Sequence, residues 1–102
     1  MEIGISTASF FSKETTEASF EIIHKLNIPV CEIFLSTFSE YSDDFIDLLL
    51  KVKGNTRVHS VHTLNQQYEP ELFNPTERTR KDSERIFKHV AHDASRLGAS
   101  YY

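Results

Sequence analysis

Short apolar or alternating runs, typical of strands, alternate three times along this chain with segments whose hydrophobic residues have helical spacing. Residues 3–6 alternate between isoleucine and small residues, residues 30–35 (VCEIFL) are mostly apolar, and residues 56–62 (TRVHSVH) are rich in valine. Such short runs are typical of strands in a parallel sheet, and each is followed by a segment with helical periodicity. The pattern predicts successive strand–helix units within one domain spanning residues 1–102.

The first helix is expected between the polar residues 12–16 and the Ile28-Pro29 step. A residue before proline is disfavoured in the helical conformation, so this helix should end near Asn27. Its expected buried residues are Phe20, Ile23 and Leu26.

The second helix is expected to begin after Ser39 or Ser42, whose hydroxyls can cap a helix. Asp43 would then lie favourably at the positive end of the helix dipole, and Gly54 suits the left-handed residue that follows a helix. Its expected buried residues are Phe45, Leu48, Leu49 and Val52.

The third helix has the clearest end signals. Residues 74–77 (NPTE) offer a capping asparagine, a proline at the first helical position and a capping-box glutamate, so the helix should start near Pro75 and extend to Gly98. From Ala99 a fourth apolar run begins, which predicts a fourth parallel strand and the order 1-2-3-4. The expected apolar residues of the helix are Ile86, Phe87, Val90, Ala91, Ala94 and Leu97.

Repeated strand–helix units are compatible with an open doubly wound sheet and with an eightfold barrel. No glycine-rich phosphate loop follows the first strand, and the dinucleotide and Walker signatures are absent from the sequence. This absence favours the barrel. The predicted fold is therefore α/β, a parallel βαβαβαβ half of a (β/α)8 TIM barrel.

Composition narrows the functional classes. The net charge of -4 argues against a nucleic-acid surface over the whole chain, and the single cysteine, Cys31, excludes an internal disulfide. The sequence contains no secretion signal and no apolar run long enough to cross a membrane, so a cytoplasmic location is expected.

Candidate chemistry follows from the alternation of side chains along each strand. The apolar set Cys31, Ile33 and Leu35 should face the helices, which places Glu32 and Phe34 on the opposite side, here called the inner face. The more polar sides of the other two strands should join it. These are Gly4 and Ser6 on the first strand, and Ser60 and His62 with Val58 on the third; His59 and Val61 should then face the helices.

Two interpretations are open for each polar candidate. Glu32 is either a substrate-contacting group or a structural acid paired with local donors, and His62 is either a metal ligand or a polar residue at a strand end. Asn65 lies in the polar loop after that strand, where binding residues are common. His89 and His92 are spaced as a helical ligand pair, but the sequence shows no acidic motif with them, which favours a solvated face.

The strand pattern around Glu32, the third strand ending in Val61-His62 before Asn65, and the helix ending in residues 94–99 (ASRLGA) together resemble a known family. The chain is similar to the N-terminal part of the xylose-isomerase-like TIM barrels, which include sugar isomerases and epimerases and endonuclease IV-type DNA-repair enzymes. The resemblance implies that His62 is one ligand of a divalent metal, zinc or manganese. It also makes Glu32 a candidate catalytic residue, with Ser6 and Asn65 as candidate substrate-binding residues.

The resemblance leaves three functions open. The first is a fragment of a metal-dependent sugar or sugar phosphate isomerase or epimerase, inactive alone; the second is a fragment of an endonuclease IV-like enzyme, with nucleic acid the less expected partner. The third is a half-barrel binding module that assembles without catalysis. We expect the chain itself to bind zinc or manganese weakly if at all, to have no membrane partner, and to self-associate as a homodimer.

Overall fold

Three strands and three α-helices alternate along the chain in the computed structural model, which describes residues 1–63 and 69–102. The strands are all parallel and lie in the order β1-β2-β3, as the strand–helix repeat predicts. The α/β class is thereby confirmed. The elements are β1 (Ile5–Ser6), α1 (Thr16–Lys25), β2 (Val30–Leu35), α2 (Asp43–Val52), β3 (Arg57–Thr63) and α3 (Glu77–Arg96).

The C-terminal residues continue the sheet next to β3. The Ser100 amide donates to the His59 carbonyl at 3.0 Å, and the Val61 amide donates to the Tyr101 carbonyl at 3.0 Å. These bonds form one parallel bridge between Ser60 and Tyr101. The predicted position and direction of a fourth strand agree with this bridge, although a full strand is not formed.

A β-bulge in β3 changes which of its side chains face the helices. Cys31 lies opposite Val58 and Glu32 lies opposite Ser60, so His59 has no partner on β2. A bulged residue shifts the alternation of all residues after it. Val58 and Val61 therefore both face the helical layer, at 1% and 3% exposure. The predictions that Val58 lies on the inner face and that His59 packs beneath a helix are wrong.

One apolar core lies between the sheet and the three helices. Cys31, Ile33 and Leu35 of β2 are buried in it, which confirms the predicted facing of this strand. Glu32 and Phe34 consequently point to the inner face. The helices contribute Phe20, Ile23, Ile46, Leu49, Val90, Ala94 and Leu97 to the same core.

The first helix ends at Lys25, close to the predicted position. Asn27 adopts a left-handed conformation with φ of 58°, which turns the chain toward Pro29 and β2. Leu26 follows the last helical residue and is 62% exposed, so its predicted burial is wrong. Phe20 and Ile23 are fully buried as predicted.

The second helix has the predicted ends but a rotated buried face. The Ser42 hydroxyl caps it by accepting a hydrogen bond from the Phe45 amide at 3.2 Å, and Gly54 follows with φ of 55°. Ile46 and Leu49 are its fully buried residues, whereas Leu48 is 38% exposed. The prediction for Leu48 is wrong because positions three apart, 46 and 49, define the stripe that meets the sheet.

The third helix starts two residues later than predicted, at Glu77. The Asn74 side-chain oxygen accepts a hydrogen bond from the Thr76 amide at 2.7 Å, forming a turn that precedes the helix rather than its cap. The helix ends at Arg96 with Gly98 in the left-handed region, as expected. Phe87 is 40% exposed, so its predicted place in the core is wrong.

Gly4 permits a close approach of the N-terminal segment to β2. A Cβ added at this residue would lie 2.5 Å from the Val30 carbonyl oxygen and 2.8 Å from Val30 Cγ1. Since the carbonyl belongs to the backbone, one of the two segments would have to shift. We expect Gly4→Ala to lower the free energy of unfolding by about 1–3 kcal/mol, measured by urea denaturation.

Gly98→Ala provides the control for this prediction. No atom lies within 4 Å of a Cβ added at Gly98, so its cost should be limited to the strain of a left-handed residue, about 1 kcal/mol. If Gly4→Ala proved as stable as the unsubstituted protein, the close approach at Val30 would not constrain the sheet.

Candidate functional site

Three polar residues form a row across the inner face of the sheet. The parallel register places Ser6 of β1, Glu32 of β2 and Ser60 of β3 side by side. The Ser6 hydroxyl donates to Glu32 Oε1 at 3.0 Å, and the Ser60 hydroxyl donates to Glu32 Oε2 at 3.1 Å. The Ser6 oxygen also accepts a hydrogen bond from the Ala8 amide at 3.1 Å, which holds it in place. The row therefore fixes both oxygens of one carboxylate.

Glu32 is only half-buried, and its partners are neutral. None of the ion pairs in the described part of the chain involves this carboxylate. Each carboxylate oxygen has two acceptor positions, and the serine hydroxyls use one of each. Glu32 can therefore accept further hydrogen bonds from a ligand on the inner face.

An aromatic cluster lies beside this row. Phe34 and His62 are opposite each other on β2 and β3, and their rings stack with centroids 5.1 Å apart. Phe11 contacts the edge of this pair, with its ring centroid 5.8 Å from that of Phe34. Two residues along a strand span about 6.6 Å, so the cluster lies within the length of a small ligand from Glu32.

The inner face also contains a cleft of about 420 Å³ toward the N-terminal ends of the strands. Arg57 forms an ion pair with Glu2 at its margin. His59, displaced by the bulge, is exposed here, and its ring lies 5.1 Å from that of Tyr101. The lining includes Gly4, Ser6, Glu32 and Ser60.

The predicted site residues are brought together only in part. Ser6 and Glu32 are hydrogen-bonded, and His62 is exposed on the same face. Asn65 lies outside the described residues. Within residues 1–63 and 69–102, His62 belongs to no group of three potential metal ligands, so its role as a metal ligand stays a prediction.

The sequence pattern does not indicate a second carboxylate, Glu40. It is buried and accepts hydrogen bonds from the Thr16 hydroxyl, the Ser36 hydroxyl and the Ser36 amide, each at 3.0 Å. With these donors it joins the loop after β2 to the start of α1. The four-residue spacing of Ser36 and Glu40 is the one feature of the sequence that could have indicated this contact. With its donors supplied by the protein, Glu40 is a structural acid.

His92 of α3 is exposed, as the sequence suggested, whereas His89 is only partly exposed. His89 lies next to Asp93, one helical turn further on, and both approach Asp43 at the start of α2. The His-x-x-x-Asp spacing within α3 was a usable signal, whereas the contribution of Asp43 depends on how α2 and α3 pack. The remaining polar surface of α3 contains ion pairs between residues one turn apart, such as Lys81–Glu77 and Lys88–Glu84.

In comparisons with known proteins, no family model, no curated protein sequence and no solved structure matches this chain. The resemblance to xylose-isomerase-like barrels therefore stays a prediction from the residues that suggest it. None of the helices in the described segments has the length and hydropathy needed to cross a membrane.

Cys31 lies directly beneath the row, on the helical side of β2. Burial raises the pKa of its thiol to about 12, and the neighbouring Glu32 carboxylate acts in the same direction, whereas Lys53 opposes it. Because the thiolate is the reactive species, Cys31 should be alkylated by iodoacetamide at pH 8 at least about 100-fold more slowly in the native protein than in guanidinium chloride. Similar rates in both conditions would show that the sheet opens readily at β2.

Proposed function

We propose that this chain forms three strand–helix units of a metal-dependent sugar or sugar phosphate isomerase or epimerase with a xylose-isomerase-like barrel. The observation that carries the proposal is the Ser6–Glu32–Ser60 row on the uncovered face of a parallel sheet. A carboxylate with free acceptor positions suits a ligand rich in hydroxyl groups, and the neighbouring aromatic rings suit its apolar C–H faces.

The polar candidate residues have distinct roles in this proposal. Glu32 accepts a hydrogen bond from a substrate hydroxyl and, as a carboxylate, is able to take up a proton. Ser6 and Ser60 orient that carboxylate, and Asn65, outside the described residues, keeps its predicted substrate-binding role. His62 presents an exposed imidazole that fits one position of a zinc or manganese site, with the other ligands contributed by later strands. When bound there, the metal would polarise a substrate oxygen.

The endonuclease alternative has less support on this face. Proteins bind nucleic acid mainly through several lysine or arginine contacts to its phosphates, whereas Arg57 is the one such residue among the described residues that line the cleft, and it is paired with Glu2. The net charge of -4 acts in the same direction. Nucleic acid is therefore the weaker candidate ligand.

A cytoplasmic location is proposed together with the sugar-directed function.

Glu32→Gln tests the sugar-binding proposal because the substitution keeps the shape of the side chain and removes its charge. D-xylose and D-fructose 6-phosphate, titrated into the labelled chain, should shift the backbone NMR signals of Ser6 and Ser60. The substitution should weaken binding by about tenfold or more, since a hydrogen bond to a charged group contributes about 1.5–3 kcal/mol.

Asp44→Asn is the matched control for this experiment. Asp44 is an exposed acid in the first turn of α2, and its substitution changes the charge by the same amount. It should leave both affinities unchanged. Signals that do not move with either sugar, or that move equally in Glu32→Gln, would contradict the proposal.

A self-assembling half-barrel is the second candidate, and the exposed apolar residues around the sheet favour it. Ile3 is 75%, Phe11 60% and Tyr101 63% exposed. These residues lie beside the inner face or next to the outer strands. A second copy placed against the same face would cover them and pair the open strand edges.

We expect the isolated chain to form this homodimer at micromolar concentration. Sedimentation equilibrium should give twice the 11.8 kDa mass of one chain, because burial of the apolar residues stabilises the pair. Phe11→Ser should shift the equilibrium toward monomer, whereas Phe73→Ser, at an exposed position in the helical turn that precedes α3, should not. A monomer at every concentration would exclude this candidate.

A further inference from the structure

A cluster of three potential metal ligands lies between α2 and α3, on the helical side of the molecule. Asp43 is the first residue of α2, while His89 and Asp93 are one turn apart on α3. One ligand atom of each residue lies within 4.8 Å of those of the other two. The cluster is separate from the inner face, because the core lies between the sheet and these helices.

Asp93 is the unusual member of the cluster. Its side chain is 0% exposed, and neither carboxylate oxygen has a hydrogen-bond partner among the described residues. His89 Nε2 is 3.3 Å from Asp93 Oδ2, a distance that permits an ion pair but lacks hydrogen-bond geometry. A buried carboxylate without donors is costly, and burial accordingly raises the pKa of Asp93. Among the described residues, no hydrogen-bond donor offsets this cost.

We propose that Asp43, His89 and Asp93 bind a divalent transition-metal ion of the zinc class and thereby join α2 to α3. The ion would supply the positive charge that neutralises the buried Asp93 carboxylate. Protein ligands at three positions leave room for water at the fourth position of a tetrahedral site. This site differs from the one expected at His62, so it revises the expectation that the chain binds metal weakly if at all.

The donor set selects the class of ion. An imidazole nitrogen with two carboxylate oxygens suits zinc and its neighbours, whereas magnesium and calcium prefer oxygen ligands alone. Ligands around tetrahedral zinc lie about 3.4 Å apart. The 3.3 Å between His89 Nε2 and Asp93 Oδ2 is close to this value, and the Asp43 ligand atom, within 4.8 Å of the other two, needs to approach by at most about 1.4 Å, within the range of a side-chain rotation.

Arg96 is the competing cation at this site. Its guanidinium lies 3.4 Å from Asp43 Oδ1 and also pairs with Asp47. Because Asp47 remains as a partner, Arg96 can stay in place when Asp43 turns toward a metal. His92, on the next face of α3, borders the same surface and also contributes to the electrostatic environment of Asp93.

The test is a calorimetric titration of the full 102-residue chain with Zn²⁺, together with visible absorption spectra of the chain with Co²⁺. We expect one equivalent of Zn²⁺, a rise in Tm when it is added, and the intense Co²⁺ bands of a tetrahedral site. Asp93→Asn and His89→Gln should each weaken Zn²⁺ binding by at least about tenfold and remove the Co²⁺ bands. Far-UV circular dichroism verifies that each variant is folded. If Asp93→Asn does not fold, His89→Gln still tests the site, because His89 is half-exposed and its substitution should be tolerated.

Two matched controls separate this site from other histidines. His24→Gln removes an imidazole from α1, and His62→Gln removes the one on the inner face; both should retain the Zn²⁺ affinity and the Co²⁺ bands. The proposal is overturned if Zn²⁺ does not bind, if binding is unchanged in Asp93→Asn and His89→Gln, or if it is lost in His62→Gln. The last result would instead support the metal site of the proposed isomerase.

Discussion

The pairing register of β2 with β3 determines which side chains enter the core and which stay available to a ligand. The unpaired His59 allows Val58 and Val61, three residues apart, to face the helices together. Beyond the bulge, Ser60 aligns with Glu32 and completes the row on the inner face. Without the extra residue, the polar and apolar sides of β3 would be exchanged after Val58, since a shift of one residue moves every later side chain to the other face.

Three carboxylates in this chain differ in their burial and in the hydrogen-bond donors around them. Glu40 is buried and supplied with donors, so it is suited to holding a loop rather than to chemistry. Glu32 is half-buried and held by two hydroxyls, which keeps acceptor positions free. Asp93 is fully buried without a donor among the described residues. The number of hydrogen bonds that the carboxylate oxygens accept, rather than burial alone, therefore distinguishes structural acids from candidate sites.

The two candidate sites lie on opposite sides of the core and follow different structural rules. The inner face joins residues from neighbouring strands, where parallel pairing sets the positions of Ser6, Glu32 and Ser60. The helical cluster joins residues one turn apart on α3 to the first residue of α2. A substitution at one site should leave the other intact, because the closely packed core separates them.

The sequence by itself determined the alternation of strands and helices, the facing of β2 and the helix end at Gly54, because these depend on local periodicity and local backbone preference. It also indicated Glu32 as the acid of the inner face. The tertiary structure decided the bulge at His59, since a bulge depends on the partner strand and leaves alternating residues looking regular. The tertiary structure also brings Asp43 next to His89 and Asp93 of α3, because residues distant in sequence become neighbours only when helices pack.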